Sequence, residues 1–342
     1  MRLSSRTALA AAAVACATTL AACGSGMSDT GDDTLSVVAS TNVWGSIAQA
    51  VAGDRVEVRS LITEPSADPH SYEASPLDAA AISDASLVVY NGGGYDHFVD
   101  DILDSAGDDR PAVVEAFALH ESGEHSDLHA GHDHGTTGSD EHDTTEEHDR
   151  SADAPDAHGH EGHDHSGVNE HVWYDLATAD AVAHAIAEQL SELDPEGAAV
   201  YESNAAAFHE NLHYVSDVVE GVSKNHGGAP IAQTETIGYY LVLGAGLDDR
   251  TPTDFTNAIE NGTDPSPAAI ATTRQLLLDD QVRVLIYNPQ TEDRISREIR
   301  SAAESSGIPV VEVFETLPEG VDYIQWQSAT AESLAAALDS AS

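Results

Sequence analysis

The sequence predicts an α/β protein with two doubly wound lobes joined by one long, rigid helix. Apolar strands alternate with amphipathic helices through residues 34–195, and the same alternation restarts in residues 227–342. Between these two regions, residues 196–226 carry one uninterrupted helical pattern. A chain of 342 residues is long enough for each lobe to bury a core of its own. We therefore expect one α/β lobe on each side of a stiff connector.

The first lobe opens with a buried strand, TLSVVAS, followed by a helix that ends at Gly53. A second strand, VEVRSLI, precedes a helix whose start is marked by Ser75 as N-cap, Pro76 at the first position and Asp78 at the third. The strand SLVVYNGG and the helix YDHFVDDILDSAG extend the alternation, and a further helical pattern begins after Asp175.

The connecting helix has apolar side chains spaced by four and three residues, which form one stripe along its length. These side chains are Phe208, Leu212, Val215, Val219 and Val222. Beyond Gly227 the strands APIAQTE, VRVLIYN and IPVVEVFE alternate with helices, the last of which closes the chain. This alternation predicts the second α/β lobe.

Residues 1–22 are typical of an export signal, because two arginines accompany an apolar run that is too short for a stable membrane span. The run ends in LAAC, which resembles a bacterial lipobox, so we expect cleavage before Cys23 and attachment of a diacylglycerol to its thiol. The alternative is an ordinary signal peptide with a chance cysteine. Residues 23–33 form a polar tether. Cys16 is lost with the signal, so the mature chain has no cysteine for a disulfide or a thiolate zinc site.

The formal net charge of −47, from 13 basic against 60 acidic residues, excludes nucleic acid as a partner. An acidic field concentrates cations near the surface, although the same surplus also serves solubility or a saline habitat. Charge alone therefore does not define a function.

Residues 120–166 lose almost all large apolar side chains, and histidines stand among acidic and small residues. Such a segment cannot offset its ordering entropy by burial, so we expect a disordered insert in the first lobe. Its imidazoles are candidates for accessory zinc binding, chiefly at His129, His132, His134, His158, His160, His163 and His165.

Four residues of metal-ligand type stand beside predicted strands or turns, and ligands bind beyond the carboxyl ends of strands in doubly wound sheets. His70 follows VEVRSLI in a proline-stiffened loop, Glu235 follows PIAQT, and Glu315 follows VVEVF. His171 lies where order resumes after the insert, next to two aromatic residues that can bury one side of a site. Taken singly, a loop histidine is usually solvated and a glutamate at a helix start is usually a cap. Together, two imidazoles and two carboxylates suit a borderline divalent metal.

Five other histidines have spacings that form no common site, so we expect them to be surface or packing residues. They are His97, His184, His209, His213 and His226. Asn288, which follows the strand VRVLIY, and Tyr239 are better placed to line the cleft.

The lipobox and the motifs DPHSYEASP, NEHVWYD, TETIGYYLVLGAGL, DPSPAAIATTRQLL and GIPVVEVFETLP resemble those of the zinc and manganese substrate-binding lipoproteins of bacterial ABC importers. The resemblance runs in the family's order from Cys23 nearly to the end of the chain. It implies two α/β lobes joined by a rigid helix, with the metal in the interlobe cleft held by one ligand from each of four motifs. His70 and His171 match the first two histidines. Glu235 takes the place of a histidine found in many zinc members, and Glu315 takes that of the usual aspartate.

The ligand set and the insert favour different metals. Exchange of nitrogen for oxygen shifts preference toward manganese, whereas clustered imidazoles hold zinc far better. We expect Zn²⁺, with Mn²⁺ as the alternative. The resemblance further implies a monomer without catalytic activity, lipid-anchored to the outer face of the cytoplasmic membrane, that delivers the metal to an ABC permease and its ATPase.

Two other classes of function compete with this prediction. A zinc hydrolase would need an open coordination position and a general base, and the sequence has neither an H-E-x-x-H helix nor an obvious base. A surface metal buffer or adhesin would use the His-rich segment itself. Deletion of residues 120–166 separates these alternatives, because only the buffer would lose all zinc binding.

Overall fold

The structure is a computed structural model that describes residues 35–64, 67, 69–123 and 169–341. Its strands are β1 Ser36–Thr41, β2 Glu57–Ile62, β3 Leu87–Tyr90, β4 Ala112–Glu115, β5 Pro230–Gln233, β6 Asp248–Asp249, β7 Val284–Tyr287 and β8 Val310–Glu312. Its helices are α1 Asn42–Ala52, α2 Pro76–Asp84, α3 Phe98–Ala106, α4 Ala116–Ser122, α5 Leu176–Leu193, α6 Ala198–His226, α7 Tyr239–Gly244, α8 Thr253–Glu260, α9 Pro267–Leu278, α10 Arg294–Ser305 and α11 Tyr323–Ser340.

The strands form two parallel four-stranded sheets with the same topology. The first sheet has the order β2-β1-β3-β4 and the second has the order β6-β5-β7-β8. In each sheet the strand order reverses beside the first strand, which is where doubly wound sheets bind ligands. The predicted fold class, two α/β lobes, is confirmed.

Local sequence signals place the helices that flank the site. Helix α1 ends at Gly53, whose positive φ of 60° suits a residue without a Cβ. Helix α2 begins with a capping box in which the Ser75 hydroxyl accepts from the Asp78 amide and the Asp78 carboxylate accepts from the Ser75 amide. Both signals were predicted from the sequence, and the second fixes the end of the loop that carries His70.

The connecting helix α6 is 29 residues long and packs against α1, α5 and α11. Four members of its predicted stripe are buried, and Val219 is partly buried against the same core. That core is continuous: it includes Trp44 of α1, Leu212 of α6 and Trp326 of α11. Because one apolar core holds the helix along its length, α6 is a rigid element rather than a free linker.

Several elements were absent from the sequence prediction. Strand β4 and helix α4 are short, β6 consists of two acidic residues, and α8 spans only eight residues. Helix α4 also corrects the predicted start of the insert. His120 lies within this helix, and its Nδ1 is 2.9 Å from Thr178 Oγ1 and 3.1 Å from Asp175 Oδ2. Residues 120–122 therefore belong to the folded lobe, and Gly123 follows the helix in the left-handed region.

The signal, Cys23, the tether and all seven accessory histidines lie outside the described residues. Within the described part of the chain, no helix combines the length and apolarity needed to span a bilayer.

Candidate metal centre

His70 is presented by a short 3-10 turn, Pro69–Ser71, in the loop that follows β2. Immediately beyond this turn, the Tyr72 hydroxyl donates to the Asp78 carboxylate over 3.1 Å, and the Tyr72 ring packs on Phe98 with centroids 5.1 Å apart. The His70 ring meets the Tyr95 ring edge-on at 4.8 Å and lies 5.8 Å from the His171 ring. The loop is thus anchored by Tyr72 just after the turn and by the ring contacts of His70 itself.

His171 is 1 % exposed and its orientation is set by Asn169. The Asn169 side-chain oxygen accepts from the His171 backbone amide at 3.0 Å, which identifies that atom as the oxygen. The same oxygen lies 3.1 Å from His171 Nδ1, so Nδ1 must carry the proton. The lone pair is therefore on Nε2, which lies 3.9 Å from Glu315 Oε2. An imidazole oriented in this way is prepared to donate to a metal.

The surroundings keep His171 neutral. Burial, followed by the nearby His70, holds the pKa of His171 well below its usual value of 6.5. Trp173 packs edge-on at 5.1 Å, as expected for an aromatic wall on one side of the site. A neutral imidazole binds a cation without first losing a proton.

Glu315 comes from the second lobe, in the loop after β8, and is 2 % exposed. Its Oε1 accepts from Asn288 Nδ2 at 3.0 Å, so Asn288 lies beside this candidate ligand. Its Oε2 accepts from the Tyr95 hydroxyl of the first lobe, also at 3.0 Å. Asn288 and Tyr95 therefore both hold this buried carboxylate, and the bond from Tyr95 joins the two lobes.

The structure brings His70, His171 and Glu315 together, with one potential ligand atom from each lying within 4.8 Å of the others. In tetrahedral coordination with bonds of about 2.1 Å, ligand atoms are separated by about 3.4 Å, so small side-chain rotations suffice to close the trio on a cation. Two nitrogens and one oxygen from buried side chains suit zinc and also admit manganese.

Glu235, the fourth predicted ligand, is buried at the carboxyl end of β5 but is not part of this trio. Its Oε2 accepts from the Thr291 hydroxyl at 2.8 Å. It thus lies at the predicted strand end, in the same lobe as Glu315, with its carboxylate held by a neighbouring loop.

Two carboxylates beside His171 were not predicted. Glu170, His171 and Glu260 form a second group with potential ligand atoms within 4.8 Å of one another. Burial, followed by the charge of Glu260, raises the pKa of Glu170 to about 7. Glu260 in turn accepts from the backbone amide and the hydroxyl of Thr236. The adjacency of Glu170 to His171 was visible in the sequence, whereas Glu260 ends a helix that was not predicted.

Two expectations about neighbouring residues were wrong. Tyr239 is 45 % exposed and packs on the Tyr240 ring, and it is Tyr240 that points inward, where its hydroxyl donates to the Asn169 backbone oxygen at 2.8 Å. His184 and His209 were expected to belong to no common site, but the structure brings them together with Asp180.

Two parallel α/β lobes with imidazole and carboxylate side chains meeting between them are typical of two-lobed proteins that capture a metal ion. The family model described as "Zinc-uptake complex component A periplasmic" matches residues 37–337. The chain belongs to this family, whose members are substrate-binding proteins of metal importers rather than enzymes.

The names of individual similar proteins refer to manganese in one case and to zinc in another. The manganese-binding lipoprotein MntA of Halalkalibacterium halodurans is 24% identical over 206 residues, which cover 58% of this chain and 54% of that protein. The metal ABC transporter substrate-binding lipoprotein ScbA of Streptococcus cristatus is 24% identical over 93% of this chain and 94% of its own. The structure of the periplasmic zinc binding protein TroA from Treponema pallidum has a TM-score of 0.66 at 15% identity, covering 89% of this chain and 99% of that one. The last comparison supports the fold.

Proposed function

We propose that this protein captures Zn²⁺ outside the cytoplasm and delivers it to an ABC permease and its ATPase, with the metal bound by His70, His171 and Glu315. The observation that carries the proposal is the trio itself: two imidazoles and one carboxylate, from two lobes, within 4.8 Å. Glu235 is the proposed fourth ligand, because it lies buried at the end of β5 in the lobe that supplies Glu315. A neutral, oriented His171 supports zinc, since imidazole is a preferred zinc ligand.

Manganese is the second candidate. The carboxylates of Glu170 and Glu260 lie beside His171, and Mn²⁺ favours oxygen ligands more than zinc does. We further propose that the mature chain is a monomer anchored through a lipid on Cys23 to the outer face of the cytoplasmic membrane. The His-rich segment then acts as an accessory zinc-gathering arm.

Trp173 provides a local readout of the cleft, because its ring lies 5.1 Å from that of His171. We expect Zn²⁺ to change tryptophan emission in the wild-type protein, and the change should be absent from Trp173→Phe. The double variant His171→Ala, Glu315→Ala should shift the zinc midpoint to much higher concentration. His226→Ala is the matched control, because His226 pairs with Asp339 at 2.9 Å near the far end of α6.

The proposal is wrong if the double variant keeps the wild-type midpoint. If Mn²⁺ displaces Zn²⁺ in competition, the metal is manganese instead. If deletion of residues 124–166, which leaves helix α4 intact, abolishes all zinc binding, the buffer or adhesin function is favoured. Delivery is measured as zinc uptake by cells that lack the chain, which wild-type protein should restore and the double variant should not.

A further inference from the structure

A second group of metal-ligand side chains lies on the helical hairpin formed by α5 and α6. Asp180 and His184 are four residues apart on α5, and His209 and His213 are four residues apart on α6. Side chains with this spacing share one face of a helix. Because α5 and α6 pack against each other, both pairs face the same groove.

The distances define a compact cluster. One potential ligand atom from each of Asp180, His184 and His209 lies within 4.8 Å of the others. His209 Nδ1 is 2.9 Å from Asp180 Oδ2, and His184 Nε2 is 3.9 Å from Asp180 Oδ1. The His213 ring meets the His209 ring edge-on at 4.8 Å.

Helix packing alone does not explain why the charged side chain of Asp180 is buried. Its side chain is 0 % exposed, and among the described residues its Oδ1 has no hydrogen-bond partner. A buried carboxylate oxygen without a partner costs free energy, so such groups are rare unless they bind an ion or serve a function. This oxygen is the Asp180 atom that lies nearest to His184 Nε2.

His184 and His209 connect the buried Asp180 carboxylate to the protein surface. The side chain of His184 is 52 % exposed and that of His209 is 25 % exposed, so a cation can reach the cluster without opening the core. A tetrahedral site needs ligand atoms about 3.4 Å apart, and rotation of the exposed His184 side chain brings its nitrogen to that distance from Asp180.

We propose that Asp180, His184 and His209 bind one divalent cation of the zinc class at a second site, outside the interlobe cleft, with water completing the coordination. Two imidazoles and one carboxylate select a nitrogen-preferring transition metal over Mg²⁺ or Ca²⁺. The bound cation crosslinks α5 to α6, and the net charge of −47 raises the local concentration of cations around this open site.

Residue-resolved modification of the full-length protein tests the site separately from the cleft and the His-rich segment. Diethyl pyrocarbonate acylates imidazole nitrogen, and mass spectrometry gives a rate for each histidine. Zn²⁺ at about ten times the dissociation constant leaves about a tenth of the site free, so modification of His184 and His209 should slow about tenfold. His97, which is exposed on another helix boundary, should be modified at an unchanged rate.

Variants then test the ligand set. Asp180→Asn keeps the shape but removes the charge, and it should abolish protection of both histidines. Because Asp180 is buried, the exposed His184→Gln provides a second test, in which protection of His209 should be lost while Trp173 emission still responds to zinc. His226→Gln is the control, because His226 lies on the same helix but pairs with Asp339 outside the cluster, and it should retain protection. Equal rates with and without zinc, protection that survives either ligand variant, or its loss in His226→Gln would each overturn the proposal.

Discussion

Replacement of Asn169 by alanine should weaken metal binding in the cleft, although Asn169 itself is not a proposed ligand. Its side-chain oxygen accepts from the backbone amide of His171 at 3.0 Å and from Nδ1 at 3.1 Å. Its side-chain nitrogen donates to the Thr236 backbone oxygen at 3.1 Å, which ties the His171 segment to the second lobe. Without the Asn169 side chain, the His171 ring can rotate and its proton can move to Nε2. The lone pair of Nε2 is then no longer held toward Glu315.

Groups that orient a metal-bound histidine typically contribute 10- to 100-fold to affinity, which corresponds to about 1.4 to 2.7 kcal/mol. We expect a loss in this range for Asn169→Ala, measured by competition with a chromophoric chelator and read through Trp173 emission. Asn169→Asp keeps the acceptor for Nδ1 and replaces the donor by a negatively charged carboxylate, so its affinity should stay closer to the wild-type value than that of Asn169→Ala.

The matched control is Asn204→Ala. Asn204 also makes one bond to a backbone oxygen, from Nδ2 to Val51 at 2.9 Å, but it lies between α6 and α1. An affinity for Asn169→Ala within twofold of both wild type and this control would refute the inference that Asn169 sets the tautomer and orientation of His171.

Three further predictions concern the metal-free protein. Tyr95→Phe removes one donor to the buried Glu315 carboxylate and should lower the free energy of unfolding by about 1.5 to 3 kcal/mol in urea titrations. An unchanged midpoint would mean that this bond between the lobes contributes nothing. The depressed pKa of His171 makes the unfolded chain bind the proton first, so stability should fall as pH drops below 6.5, and His171→Gln should lack this component. Burial raises the pKa of Asp96 from 3.8 to about 6, so stability should instead decline by about 3 kcal/mol as pH rises through that interval. Asp96→Asn should remove this decline, and identical pH profiles for variant and wild type would contradict it.

The sequence predicts the positions of His70 and Glu315 because one rule places them: in parallel sheets, loops at the carboxyl ends of strands converge. His171 follows no strand and was singled out instead because it stands next to two aromatic residues after the insert. The partners of these residues follow no such rule. Tyr95 reaches Glu315 across 220 residues of sequence, and Asn169 acts on its near neighbour through a geometry that only the folded loop defines.

The elements that were missed are those whose stability comes from tertiary packing rather than from their own pattern. Strand β6 is two aspartates paired to β5, and nothing in its composition favours a strand. Helix α4 extends into the histidine-rich composition as far as Ser122, because His120 contacts Thr178 and Asp175 of the α5 segment. Composition therefore placed the start of the insert too early.

The α5–α6 cluster also depends on tertiary packing, although all of its residues can be read from the sequence. Each i, i+4 pair, Asp180 with His184 and His209 with His213, was present in the sequence, but such pairs are common on solvated helix faces. Whether these pairs form one cluster depends on the register of the hairpin, which sets Asp180 opposite His209 rather than one turn away. Apolar packing along α6, including Phe208 and Leu212 in the common core, supports that register. Thus the residues that bury the helix also determine which histidines meet the carboxylate, and a substitution that shifted the hairpin by one turn would separate the cluster while leaving every ligand in place.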